Sequence, residues 1–127
     1  MICARSGAPF NQPSLAEEVC RSVETACRKL GYRLHGYCLM PDHVHVLLSP
    51  DSSRRLLRDW LQAFKSYTTH WAKKNCGIAN LWQRSCYDHI CREGDTAERV
   101  LDYICNNPVR KGLVDFADDW PWAKSFI

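Results

Sequence analysis

Apolar residues recur along this chain with two different periods. Leu15, Val19, Val23, Ala26 and Leu30 fall three or four apart, which puts them on one face of a helix spanning 14–30. Ser14 with Glu17 has the spacing of a capping box, and Gly31 suits the helix stop. A second stripe, Leu57, Trp60, Leu61, Phe64, Tyr67 and Trp71, predicts a helix that begins at Pro50-Asp51-Ser52 and runs to about Lys74. A third helix follows the cap Asp95-Thr96-Ala97-Glu98, carries Ala97, Leu101 and Ile104 as its stripe, and must stop before Pro108.

Between the helices the period falls to two. Val44, Val46 and Leu48 alternate with His43 and His45, so the apolar residues share one face of a strand and the histidines the other. Residues 32–39 form its hairpin partner across Met40-Pro41-Asp42, where Pro41 fixes φ and Asp42 suits a turn. Ile2 to Arg5 predicts a short first strand and Leu81 to Cys91 a fourth. The order β-α-β-β-α-β-α describes an α+β fold of the split βαβ type, an antiparallel sheet with helices packed on one face. The 127 residues suggest one domain over 1–127, with 108–127 a tail packed on it.

Composition narrows the setting. No apolar stretch is long enough to cross a bilayer, and Met1-Ile2-Cys3-Ala4-Arg5 lacks the pattern of a signal peptide, so a cytoplasmic protein without membrane contact is expected. The eight cysteines include no Cys-x-x-Cys pair, and in the cytoplasm they read as free thiols. The net charge of +3 leans mildly towards nucleic acid. Arg54, Arg55, Arg58, Lys65, Lys73 and Lys74 cluster in one segment, and Arg110 with Lys111 lies near the end. Trp60, Phe64, Tyr67 and Trp71 interleave with the first group. That mixture suits single-stranded nucleic acid, although the same aromatics also read as core and the charges as a solvated face.

Two imidazoles on one strand face can converge on a divalent ion, and such an ion can polarise a phosphate or carbonyl. On the third helix Tyr103 and Asn107 are four apart and share a face. Tyr103 is a candidate nucleophile, and Asn107 offers a carbonyl oxygen to Mg²⁺ or Mn²⁺. Tyr67 is the rival nucleophile, and its place in the apolar stripe assigns it to packing. His35 reads as a surface residue or a phosphate contact, and Asp88-His89 as strand decoration or support for the metal.

The segment Met40-Pro41-Asp42-His43-Val44-His45 and the segment Tyr103-Ile104-Cys105-Asn106-Asn107-Pro108-Val109-Arg110-Lys111-Gly112-Leu113-Val114 resemble the IS200-like tyrosine transposases, and most closely their REP-associated branch. Leu81-Trp82-Gln83-Arg84, Tyr87-Asp88-His89 and Asp119-Trp120-Pro121-Trp122 extend the likeness over nearly the whole chain. The resemblance implies a ferredoxin-like fold and an enzyme that cuts and rejoins single-stranded or hairpin DNA. It implies Tyr103 as the nucleophile, with His43, His45 and Asn107 on Mg²⁺ or Mn²⁺. Asn107 stands where the insertion-sequence branch often has glutamine. Arg54, Arg55, Arg58, Lys65, Arg110 and Lys111 are the expected DNA contacts. The family leads us to expect a longer opening strand than the residues before Gly7 supply, and any hairpin-recognition extension after Trp122 is absent or very short. A metal-dependent hydrolase and a non-catalytic DNA-binding derivative are the alternative readings. A monomer and a homodimer both fit the sequence.

Overall fold

The computed structural model describes residues 1–51, 55–87 and 94–127. Its elements are β1 (Ile2–Cys3), α1 (Pro13–Leu30), β2 (Tyr32–Met40), β3 (His43–Pro50), α2 (Leu57–Cys76), α3 (Ala97–Cys105), α4 (Asn107–Arg110) and β4 (Ala123–Ser125). The strands pair antiparallel in the order β1-β3-β2-β4, which is the expected α+β sheet.

The period-two pattern sets the faces of this sheet. Along the β2–β3 hairpin Leu39 pairs with Val44, Tyr37 with Val46 and Leu34 with Leu48. All six pack in one core with Leu15, Val19 and Val23 of α1 and Trp60 and Phe64 of α2. The alternate residues Cys38 and Met40 pair with His45 and His43 and belong to the other face. There they pack against Ile104 and Val100 of α3, with Trp120 and Ala123 alongside. The expectation of helices on one face therefore holds for α1 and α2, while α3 lies against the opposite one. A bulge between Leu34 and Gly36 offsets the register, with His35 between them. His35 Nε2 meets Ser49 Oγ at 2.9 Å.

Helix boundaries differ in detail from the sequence reading. Pro13 opens α1, Gln12 is its N-cap, and Ser14 makes no capping bond. Proline at the first turn has no N–H to leave unsatisfied, so the helix starts there without a side-chain cap. Gly31 closes α1 at φ 72°, and its N–H reaches Cys27 O. Helix α2 starts later than expected, at Leu57, where Asp59 Oδ2 accepts from Leu56 N–H at 3.1 Å. Tyr67 is half exposed rather than in the core, and its hydroxyl donates to Glu18 Oε1 of α1 at 2.7 Å.

Residues 81–87 form no regular strand. They make one isolated bridge, Ala4 with Trp82, and the rest of the expected strand, together with Asp88-His89, lies outside the described residues. Trp82 is instead a wedge: its ring packs on Phe10 and Phe64, and its indole N–H donates to Thr68 Oγ1 at 2.8 Å. The fourth strand comes from the C-terminal segment. Cys38 pairs with Ala123, Tyr37 with Lys124 and Gly36 with Ser125. Trp120 anchors that segment by donating its indole N–H to Leu39 O at 2.9 Å.

Candidate active site on the histidine face

Strand alternation and the placement of α3 bring three candidate metal ligands together. The His43 and His45 rings lie 4.9 Å apart at their centroids and meet edge to face. Asn107 is 7% exposed, and its Nδ2 is 3.4 Å from His43 Nε2. An amide's oxygen and nitrogen exchange places by a half-turn, so this position can equally present Oδ1 to the histidines. The juxtaposition crosses from strand to helix over 64 residues of sequence.

Asp42, read from sequence only as a turn residue, orients His43. Its Oδ1 lies 2.7 Å from His43 Nδ1. An N–H donated to that carboxylate from Nδ1 leaves the Nε2 lone pair facing Asn107 and His45. An acid beside the first histidine was the available signal for this role. His45 needs no such partner to stay neutral. Burial pushes its pKa down to about 4, and His43, the N-terminal ammonium and Arg110 act in the same direction. Cys38, opposite His45 in the hairpin, is fully buried. Burial is the main cause that pushes its thiol up to about 12, so it packs as a small protonated hydrophobe.

The fit of this donor set to a divalent cation follows from its chemistry. Two imidazoles suit a divalent transition ion, the amide oxygen is a donor that Mn²⁺ and Mg²⁺ also accept, and three protein donors would leave positions open for water or phosphate. Among the described residues no cluster of three histidine, cysteine or carboxylate side chains could hold a metal ion, so a third side-chain donor beside the two histidines would have to be the Asn107 amide.

Tyr103 stands on α3, four residues before Asn107. The helix is interrupted at Asn106 and resumes as α4 with Pro108 in its first turn. Tyr103 is 67% exposed, and Arg110 places its guanidinium 3.9 Å from the centre of its ring. That contact was not read from the sequence, although a spacing of seven, two helical turns, was its signal. Among the described residues no hydrogen bond links the Tyr103 hydroxyl to either histidine.

The expected DNA-contacting residues divide. Arg54 lies outside the described residues. Arg55 and Arg58 are exposed near the start of α2. Next to them a cleft of about 210 Å³ opens beside His45, lined by Leu47, Leu57, Tyr87, Val100 and Ile104. Arg110 and Lys111 are exposed at the end of α4, next to the site. Lys65 is engaged within the fold, donating to Gln83 O at 3.0 Å and Arg84 O at 3.3 Å. Tyr67 reaches across to α1, on the face of the sheet away from the histidines.

The four-stranded antiparallel sheet thus bears a histidine pair and is faced by the helical segments that carry Tyr103 and Asn107. The family of IS200-like transposases matches residues 1–107, and the chain belongs to it. The resemblance drawn on the two motifs is thereby borne out. The chain is similar to the REP-associated tyrosine transposase of Escherichia coli, with 27% identity over 93 residues, 72% of this chain and 53% of that one. It is also similar to a Haemophilus influenzae protein assigned to the REP-associated tyrosine transposases, with 27% identity over 112 residues, 80% of this chain and 64% of that one. The chain thus spans between about half and two thirds of the length of these curated relatives. A solved REP-associated tyrosine transposase bound to a REP hairpin shares the fold, with a TM-score of 0.79 over 96% of this chain and 72% of that one, at 22% identity. Among the described residues no helix is long and apolar enough to cross a membrane.

Proposed function

We propose that this chain cleaves and rejoins single-stranded DNA through a covalent bond to Tyr103, with hairpin DNA of the REP type as its partner. One observation carries the reading. Asn107, on the helical segment that follows Tyr103, reaches His43 on the strand, so the tyrosine helix is docked on the histidine face. His43, His45 and Asn107 would hold Mg²⁺ or Mn²⁺. Bound there, the cation would draw charge from the phosphate oxygens and orient the phosphodiester.

The chain's own groups do the rest. Asp42 fixes the His43 ring, and burial keeps His45 neutral and its lone pair free. The Tyr103 hydroxyl gives up its proton to solvent, and its oxygen forms a bond to phosphorus. The bond from phosphorus to the 3′-oxygen breaks, and that oxygen leaves as a 3′-OH after taking a proton. The product is a 5′-phosphotyrosine. A second 3′-OH can reverse the step and join new ends, because the phosphodiester energy is conserved in the covalent link. Arg110 and Lys111, with Arg55 and Arg58 near the start of α2, would supply positive charge for the strand.

The test is incubation with hairpin single-stranded DNA and Mn²⁺, followed by a denaturing gel. The wild type should give a protein–DNA adduct, and Tyr103→Phe should bind DNA and give none. Binding without an adduct by the wild type would make the chain a non-catalytic DNA-binding protein. An adduct that persists in Tyr103→Phe would remove Tyr103 from its role.

A further inference from the structure

Tyr103 presents an unusual combination for a nucleophile. Its side chain is 67% exposed, and the contact that restrains its ring is the guanidinium of Arg110 at 3.9 Å. A tyrosine so exposed samples several rotamers, and attack on phosphorus requires one of them. A cation over the ring face favours the rotamer that keeps the ring beneath it.

The same contact leaves the guanidinium's edge free. Contact with a ring face takes up none of the group's five N–H donors in a hydrogen bond. Among the described residues no hydrogen bond or ion pair takes up any Arg110 side-chain donor. Arg110 lies on α4, three residues after Asn107, whose side chain reaches His43. A planar cation with free N–H groups, beside an exposed phenol, matches the geometry of a non-bridging pair of phosphate oxygens.

We propose that Arg110 is the positioning residue of the nucleophile: its guanidinium caps the Tyr103 ring and turns its free N–H groups to the phosphodiester under attack. This inference rests on the DNA-cleaving reading above, and it differs from a phosphate contact that serves affinity alone. A contact of that kind raises DNA affinity and its salt dependence, and leaves the rate at saturating DNA unchanged. A positioning residue acts on the rate once DNA is bound.

The experiment measures two quantities for wild type, Arg110→Ala and Arg110→Lys. One is hairpin DNA affinity by fluorescence anisotropy over a salt series. The other is the single-turnover rate of adduct formation at saturating DNA with Mn²⁺. Arg110 is exposed, so both variants should fold, and a thermal melt verifies this. Arg110→Ala should slow adduct formation about tenfold at saturating DNA. Arg110→Lys keeps the charge and loses the planar group, so it should restore affinity and leave the rate depressed by roughly threefold or more. A rate for Arg110→Ala within twofold of wild type at saturating DNA overturns the inference, whatever happens to affinity. Full restoration of the rate by lysine also overturns it, because charge alone would then suffice. If the wild type gives no adduct, the cleavage reading itself fails, and that result is distinct from a wild-type adduct with an unaffected Arg110→Ala.

Discussion

Gly36 is a point of close approach between α3 and the sheet, and adding a single methyl there tests how the tyrosine helix is seated. A Cβ on Gly36 would lie 2.5 Å from Leu101 Cδ2, 3.2 Å from Leu101 Cδ1 and 2.7 Å from Lys124 O. Leu101 is 2% exposed and cannot swing into solvent, and the Lys124 carbonyl belongs to β4. Overpacking of this kind costs roughly 1–3 kcal/mol. Alanine returns less than about 1 kcal/mol by restricting the unfolded chain. Gly36→Ala should therefore lose roughly 1–2 kcal/mol, a fall in Tm of about 3–8 °C for a chain of this size. Chemical denaturation of Gly36→Ala, Leu101→Ala and the double variant measures both the cost and its source. Leu101→Ala alone should cost roughly 2–5 kcal/mol by opening a cavity. In that background Gly36→Ala should cost at least about 0.5 kcal/mol less than in wild type, and still cost something because the carbonyl remains. An unchanged Tm for Gly36→Ala would refute the close seating of α3. An equal cost in both backgrounds would show that Leu101 is not the obstacle. The same variant should also reduce adduct formation, since Asn107 follows α3 and moves with it.

Three further outcomes follow from the site. His45 has its pKa pushed from 6.5 down to about 4, so as pH falls the unfolded chain takes up the proton first. In EDTA, stability should be unaffected above about pH 6.5, then decline towards pH 4 by up to roughly 3 kcal/mol, and His45→Gln should flatten that part of a urea-denaturation profile. An identical slope in the variant would contradict the buried neutral imidazole. Tyr67→Phe removes a hydrogen bond from a largely exposed hydroxyl, so it should cost less than about 1 kcal/mol in a thermal melt and leave adduct yield unchanged. Lost adduct would reinstate Tyr67 as the nucleophile. Asp42→Asn loosens His43 and should weaken Mn²⁺ binding about tenfold by electron paramagnetic resonance, with DNA affinity in EDTA unaltered. Equal Mn²⁺ affinity would remove Asp42 from the site.

What could be read from the sequence was what repeats along it. The alternation through His43–Leu48 placed both histidines on one face, and the stripes of α1 and α2 marked the core that holds that strand. Features that depend on distant segments were not legible. Strand β4 is a three-residue piece after Trp-Pro-Trp, too short for a period-two signal, and it exists because β2 has an open edge to pair with. Residues 81–87 have the composition of a strand, but Trp82 is drawn inwards by Phe10, Phe64 and Thr68 instead. The position of α3 on the far side of the sheet depends on Gly36, whose missing side chain leaves no trace in a hydrophobic pattern. Asn107 and Tyr103 were singled out by their spacing and by family likeness. The contacts of Asp42 with His43 and of Arg110 with the Tyr103 ring had only weak signals, adjacency and a spacing of seven, and were not read from the sequence.

The alternation of β3 has an evolutionary consequence. Substitutions at Val44 or Val46 are judged by folding, and substitutions at His43 or His45 by chemistry, so the two demands can drift almost independently while the reading frame of the strand is preserved. Loss or gain of one codon between His43 and His45 merges them: the two imidazoles would then point to opposite faces of the sheet, one of them into the core of α1 and α2. Descendants of this chain should therefore tolerate many point changes along the strand and almost no single-residue indels, and a pseudogene should betray itself there first.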